Sequence, residues 1–288
     1  MSYICHVTLM RRIALFFFLL LKLTSAIAQG TEVNCPSCGA LRDREGPNPR
    51  SYDNIITRFN APAGYHTVVA KQGTFASYLQ YLPLKPIYSR VKTYDGDFAF
   101  TDVYTAAVVN MNPGNKDLQR NAGAVIRLRA EYLFLQKRYN EIAFHLNDNF
   151  LCDYVHYAEG YRYKNGVWVL QGKKNYNHKN FLCYLELVFA NSGLNSLMQD
   201  LKKAKGSDRV IAGDVFINDH SPAHCFIVMQ VIENNLHQQQ FLLAQGFSPA
   251  QEIQIVRCDG EEWFSLDKRS DILYGNLVDK RFLMRFEN

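Results

Sequence analysis

Several signatures are missing from this chain of 288 residues, and each absence excludes a chemistry. There is no P-loop, no Gly-x-Gly-x-x-Gly fingerprint, no His-Glu-x-x-His and no Gly-x-Ser-x-Gly. Phosphate-loop, dinucleotide, zincin and serine-elbow activities therefore have no local signature. Cys35-Pro-Ser-Cys38 is a lone Cys-x-x-Cys, without the second pair or histidine pair that zinc needs. A local disulfide or free thiols are expected there, and no metal or cofactor is expected anywhere. Internal repeats and low-complexity tracts are absent too. The charge surplus is small: of the net +5, three positive charges (Arg11, Arg12, Lys22) lie in the first 28 residues, leaving +2 on the rest. That balance argues against a nucleic-acid partner.

Arg11 and Arg12 precede an apolar run from Ile13 to Leu21, and Ala26-Ile27-Ala28 supplies small residues for a cut before Gln29. Residues 1–28 are expected to be a secretory signal peptide, because the run is too short for a stable transmembrane helix. The protein is then exported, to the periplasm or the extracellular space, with no membrane span in the mature form. Residues 29–53, polar and rich in Gly, Pro, Asn and Arg, read as a flexible leader. Residues 54–288 read as a single α+β domain. Six cysteines survive processing (Cys35, Cys38, Cys152, Cys183, Cys225, Cys258), and their pairing is left open.

Within the domain, spacing predicts a short helix over Gly73–Leu82 and strands over Tyr65–Ala70, Val91–Tyr94 and Ala106–Met111. The clearest periodicity is Leu118, Ala122, Val125, Leu128, Tyr132, Leu135, one buried stripe of a helix from Asp117 to Tyr139. Asp117 or Asn115 is its expected N-cap. Arg127, Arg129 and Glu131 on that helix are expected to form structural ion pairs. Strands follow at Ile142–Leu146, Phe150–Val155 and Val167–Leu170, then a second helix over Lys179–Leu201, then a β-rich end. The order of elements predicts an α+β fold with a helix packed on an antiparallel sheet.

Gly213-Asp214-Val215-Phe216-Ile217 followed by His224-Cys225-Phe226-Ile227-Val228 is the most informative stretch. A turn shaped by Asp214 feeds one apolar strand, and a second apolar strand opens on a histidine. If Asn234-Asn235 is a two-residue turn, Phe226 pairs with Leu243 and His224 with Gln245; the loop could instead extend to Gln238. A polar side chain beside an imidazole fixes its tautomer, as a catalytic triad requires. A histidine opening a strand is also an ordinary hydrogen-bonded residue, and both readings stay open. A thiolate nucleophile belongs at a helix start, but the long helix begins Leu118-Gln119-Arg120-Asn121 with neither Cys nor Ser. Cys183, inside the second helix, is the remaining candidate nucleophile, with packing as its other reading.

The stretches Ile126-Arg-Leu-Arg-Ala-Glu-Tyr-Leu133, Gly213-Asp-Val-Phe-Ile217, Phe241-Leu-Leu-Ala-Gln245 and Ser248-Pro-Ala-Gln251 resemble a family of secreted bacterial proteins of unknown function, DUF4846-like. That family is distantly similar to papain-like NlpC/CHAP cysteine hydrolases. The resemblance runs from about Ile56 to the C-terminus and implies a papain-like fold, with His224 and Gln245 as catalytic positions. It also implies that a helix-start cysteine has become Asn121. Thr105, Asn110 and Asn112 stand where the family tends to carry His and Asp. The expectation is a catalytically impaired domain that binds a peptide-like cell-envelope ligand, peptidoglycan among the candidates, through Asn121, Asp214 and His224. The alternatives are a cysteine amidase or peptidase acting on peptidoglycan peptides, and a structural envelope protein.

Overall fold

The computed structural model describes residues 53–205, 209–221 and 223–287. The expected signal peptide, almost all of the expected leader, and Cys35 and Cys38 lie outside the described residues. The strands are β1 (Tyr65–Thr67), β2 (Thr105–Val108), β3 (Ala143–His145), β4 (Leu151–Asp153), β5 (Tyr161–Lys164) and β6 (Val167–Leu170). They continue with β7 (Leu201–Lys203), β8 (Val215–Asn218), β9 (His224–Asn234), β10 (Gln239–Gln245), β11 (Gln254–Val256) and β12 (Leu283–Phe286). The helices are α1 (Ile55–Arg58), α2 (Phe75–Gln80), α3 (Asn121–Leu135), α4 (Tyr154–Ala158), α5 (His178–Asn191) and α6 (Leu194–Gln199).

One eight-stranded antiparallel sheet, in the order β2-β11-β10-β9-β8-β12-β7 with β1 also on β9, forms the centre; β3-β4 and β5-β6 are separate hairpins. The fold is α+β, as the order of elements predicts. Side chains alternate across the sheet, so β9 feeds two cores. Cys225, Ile227 and Met229 join Leu242 and Ala244 under the helices. Phe226 and Val228 join Leu243, Phe264, Ile272, Leu277 and Leu283 on the other face. Each large apolar side chain buried this way contributes about 1.5–3 kcal/mol.

The hairpin register differs from a two-residue turn, and Phe226 does not face Leu243. The chain turns over Asn234–Gln238, with Asn234 N–H donating to Gln238 O at 3.1 Å and His237 at φ 60°. Leu242 therefore falls opposite Gln230, and a bulge between Leu242 and Leu243 then sets Leu243 opposite Val228 and Ala244 opposite Ile227. The bulge restores the parity that the longer turn removes. Without it, Gln245 would point to the helix side.

Helix α3 is shorter than expected and buried all round. Asp117 does not cap it: its carboxylate accepts from Ala250 N–H at 2.7 Å and pairs with Arg120, which holds the N-cap position without a side-chain cap. Lys137 ends the helix in the left-handed region at φ 56°. Every residue from Ala122 to Leu133 is buried, including Arg127, Arg129 and Glu131, while Leu135 is exposed. The single-stripe expectation fails because α3 is covered twice. A Cβ on Gly123 would touch Phe189 of α5, and one on Gly246, just past β10, would stand 2.8 Å from the Ala124 Cβ. Gly246→Ala should therefore cost about 1–3 kcal/mol, read as a lower urea midpoint at unchanged m-value.

The second helix breaks at Ser192-Gly193, where Gly193 N–H donates to Ser196 Oγ at 2.8 Å and α6 begins. Its expected last residue, Leu201, starts strand β7. Val91–Tyr94 forms only bridges, Lys92 to Phe98 and Thr93 to Gln251. Val155 lies in α4, which Asp153 caps through His156 N–H at 2.8 Å.

Candidate functional site

His224 opens β9 and is 0% exposed. Its Nε2 lies 2.8 Å from Gln245 Oε1. A carbonyl oxygen accepts, so Nε2 carries the proton and Nδ1 holds the lone pair. That Nδ1 is buried with no hydrogen-bond partner among the described residues. Burial lowers the imidazole pKa to about 4, with the Gln245 hydrogen bond opposing, so the ring is neutral at pH 7. His224 and Gln245 meet as diagonal neighbours rather than as a directly facing pair.

Three aromatic rings enclose this histidine. Phe226 meets it edge-on at 4.7 Å, Tyr274 lies at 4.9 Å and Phe247 at 5.4 Å. Phe247 stacks on Tyr274 and touches Phe100, which is 69% exposed. Tyr274 sits in the left-handed region at φ 63°, a conformation uncommon for a bulky residue.

Among the described residues, no thiol hydrogen-bonds His224. Cys225 points into the helix-side core, and burial pushes its thiol up to about 12. Cys152 is buried and likewise shifted upward. Cys183 faces the helix-side core and is disulfide-bonded, so it offers no thiolate. Asn121 is the first residue of α3, and its Oδ1 is buried without a partner among the described residues. The helix start abuts Gly246, whose Cβ would stand 3.4 Å from Arg120 O. It is thus one residue along from Gln245, yet on the sheet face opposite to the one His224 shares with Phe226.

Asp214 is 0% exposed. Its carboxylate accepts from Arg285 Nε at 2.6 Å, Arg285 Nη2 at 2.9 Å and Ile211 N–H at 2.9 Å. These contacts fix the turn and clasp β8 to β12, which leaves Asp214 placed for the fold rather than for a ligand. Arg127 donates to Glu131 at 2.8 Å in the expected structural pair. His145 Nδ1 lies 2.6 Å from Asp200 Oδ1, and His156 Nδ1 lies 2.7 Å from Asp153 Oδ2. Thr105 Oγ1 accepts from Gln254 Nε2 at 3.1 Å, within a buried network that also holds Thr101 and Gln251.

An open cleft of about 310 Å³ lies at the other end of the β11 region, lined by Lys85, Lys92, Asn110, Asn112, Asn115 and Glu252, with Tyr94 on its wall. The bond from Tyr94 N–H to Ala250 O, at 2.8 Å, ties this wall to the segment that Asp117 holds at the approach to α3. Glu252 is 6% exposed, pairs with Lys85 and accepts from Lys92 N–H at 3.2 Å. Sequence reasoning singled out Asn110 and Asn112 but missed Lys85, Lys92 and Glu252. Glu252 stands 167 residues from Lys85, and no local pattern signals such a meeting. Among the described residues, no group of three or more His, Cys, Asp or Glu could hold a metal ion. No helix there is long and apolar enough to cross a membrane.

Residues 55–277 match the family model described as "Domain of unknown function (4846)". No curated protein and no solved structure matches the chain.

Proposed function

Because the chain belongs to the DUF4846 family, a membership that assigns no chemistry, we propose that it is an exported binding protein. It takes a peptide-like ligand of the cell envelope on a scaffold whose papain-like catalysis has been lost. The observation that carries this reading is the division of labour between the two sites. The histidine with a triad-like partner is sealed and neutral, and among the described residues no thiol hydrogen-bonds it. An accessible cleft of about 310 Å³ is lined instead by lysine and asparagine side chains, within the roughly 300–1,000 Å³ that small-ligand sites occupy. Such groups hydrogen-bond the amides and carboxylates of a peptide. The N-terminal apolar run, with its two arginines and small-residue cut, supports export.

Incubation with purified sacculi tests the reading. The protein should co-sediment with them, and mass spectrometry of the muropeptides should show no new products. Cleavage products that vanish in His224→Ala would overturn it and establish the amidase or peptidase. No co-sedimentation would leave the structural envelope protein.

A further inference from the structure

The cleft can be read donor by donor. Glu252, its one lining carboxylate, has both oxygens engaged, Oε1 by Lys85 Nζ and Oε2 by Lys92 N–H. Asn112 Oδ1 is also taken, by Gly114 N–H at 2.8 Å, so the group Asn112 has left to offer is its NH₂. The Lys92 ammonium, in contrast, has no carboxylate within 4.0 Å among the described residues. Asp95, close by in the chain, turns its carboxylate to Thr93 Oγ1 at 2.5 Å and does not line the cleft. What remains for a ligand is one uncompensated cation, the Asn112 NH₂ and the side-chain amides of Asn110 and Asn115.

We infer that the cleft recognises a free carboxylate of a peptide, which seats on Lys92 with Asn112 donating beside it. This inference rests on the peptide-binding reading above and specifies which part of the ligand is read. An ammonium-to-carboxylate hydrogen bond is charge-assisted, and losing it weakens binding about tenfold or more. A peptide whose carboxylates are converted to amides keeps its size and hydrogen-bonding backbone but cannot answer the lysine.

Calorimetry with two preparations of one probe tests the inference: soluble muropeptides, untreated and after carbodiimide coupling to ammonia. The untreated pool should bind at least tenfold more tightly than the amidated pool. Lys92→Gln should weaken binding of the untreated pool about tenfold and leave the amidated pool unchanged. Lys92 is exposed, so the variant should melt with the wild type. Equal affinity for both pools overturns the carboxylate inference while leaving peptide binding in place. Binding of neither pool overturns both. Discrimination that persists in Lys92→Gln overturns its role as the anchor.

Discussion

Lowering the pH from about 6.5 to 4 should remove about 3 kcal/mol of stability through His224 alone. The folded protein holds this imidazole near 4, whereas the unfolded chain takes up the proton near 6.5. Between those values the unfolded state binds more protons, so stability rises with pH. The contribution is fully present above the unfolded pKa, is lost as pH falls through the window, and levels off below about 4. Urea unfolding at pH 7.0 and pH 4.5 measures it, with His224→Phe as the comparison. Carboxylates titrate in both proteins, so the diagnostic quantity is the difference between the two slopes. At pH 7, His224→Phe should lose about 1–3 kcal/mol, because the 5%-exposed Gln245 keeps its oxygen and loses its donor. Its stability should then fall less steeply toward pH 4.5. Equal slopes would mean that His224 is reached by water and titrates as it does in the unfolded chain.

Glu131→Ala should be more damaging still, by about 3–5 kcal/mol. Glu131 and Arg127 lie on successive turns of α3 with side chains 9% and 7% exposed, and His178 Nε2 stands 3.0 Å from the same carboxylate. Burial opposes ionisation of Glu131, but Arg127 and His178 outweigh it and hold the carboxyl below its ordinary value. Removing the carboxylate leaves the Arg127 guanidinium buried and uncompensated, with only Gln119 Oε1 at 3.5 Å. Substituting both partners by leucine removes the two charges together, so the double variant should recover most of the loss. A thermodynamic cycle over the two single variants and the double one checks this. Additive losses would show that the two side chains act independently.

Glu131 also shows where the sequence is legible and where it is not. An Arg-x-x-x-Glu spacing identifies an ion pair on a helix, and the pair is there. That spacing carries no sign that the pair is buried, although α3 is enclosed on every side. What covers it is α5, far along the chain: His178 Nε2 stands 3.0 Å from Glu131, and Phe189 lies against Gly123. The meeting of His224 with Gln245 was visible from alternation alone, although the turn was longer than two residues. Two errors of register cancelled: the five-residue turn inverted the faces and the bulge inverted them back. Strands β7 and β12 escaped notice because three or four residues carry too little periodicity to separate strand from helix end. The cleft was half legible, since Asn110 and Asn112 lie on one segment and the Lys85–Glu252 pair is closed only by the fold.

The offset between Leu242 and Leu243 divides the β9–β10 hairpin into a base and a tip. The base is locked by β8, by β11 and by the His224–Gln245 bond. At the other end β1 pairs up to Asn234, and the turn around Leu236, 79% exposed, projects beyond it. Lengthening an exposed turn costs little closure entropy, and the kink takes up the change before it reaches the base. The tip is thus the place to insert a reporter peptide or an affinity tag, leaving Gln245 on the side of the sheet where His224 needs it.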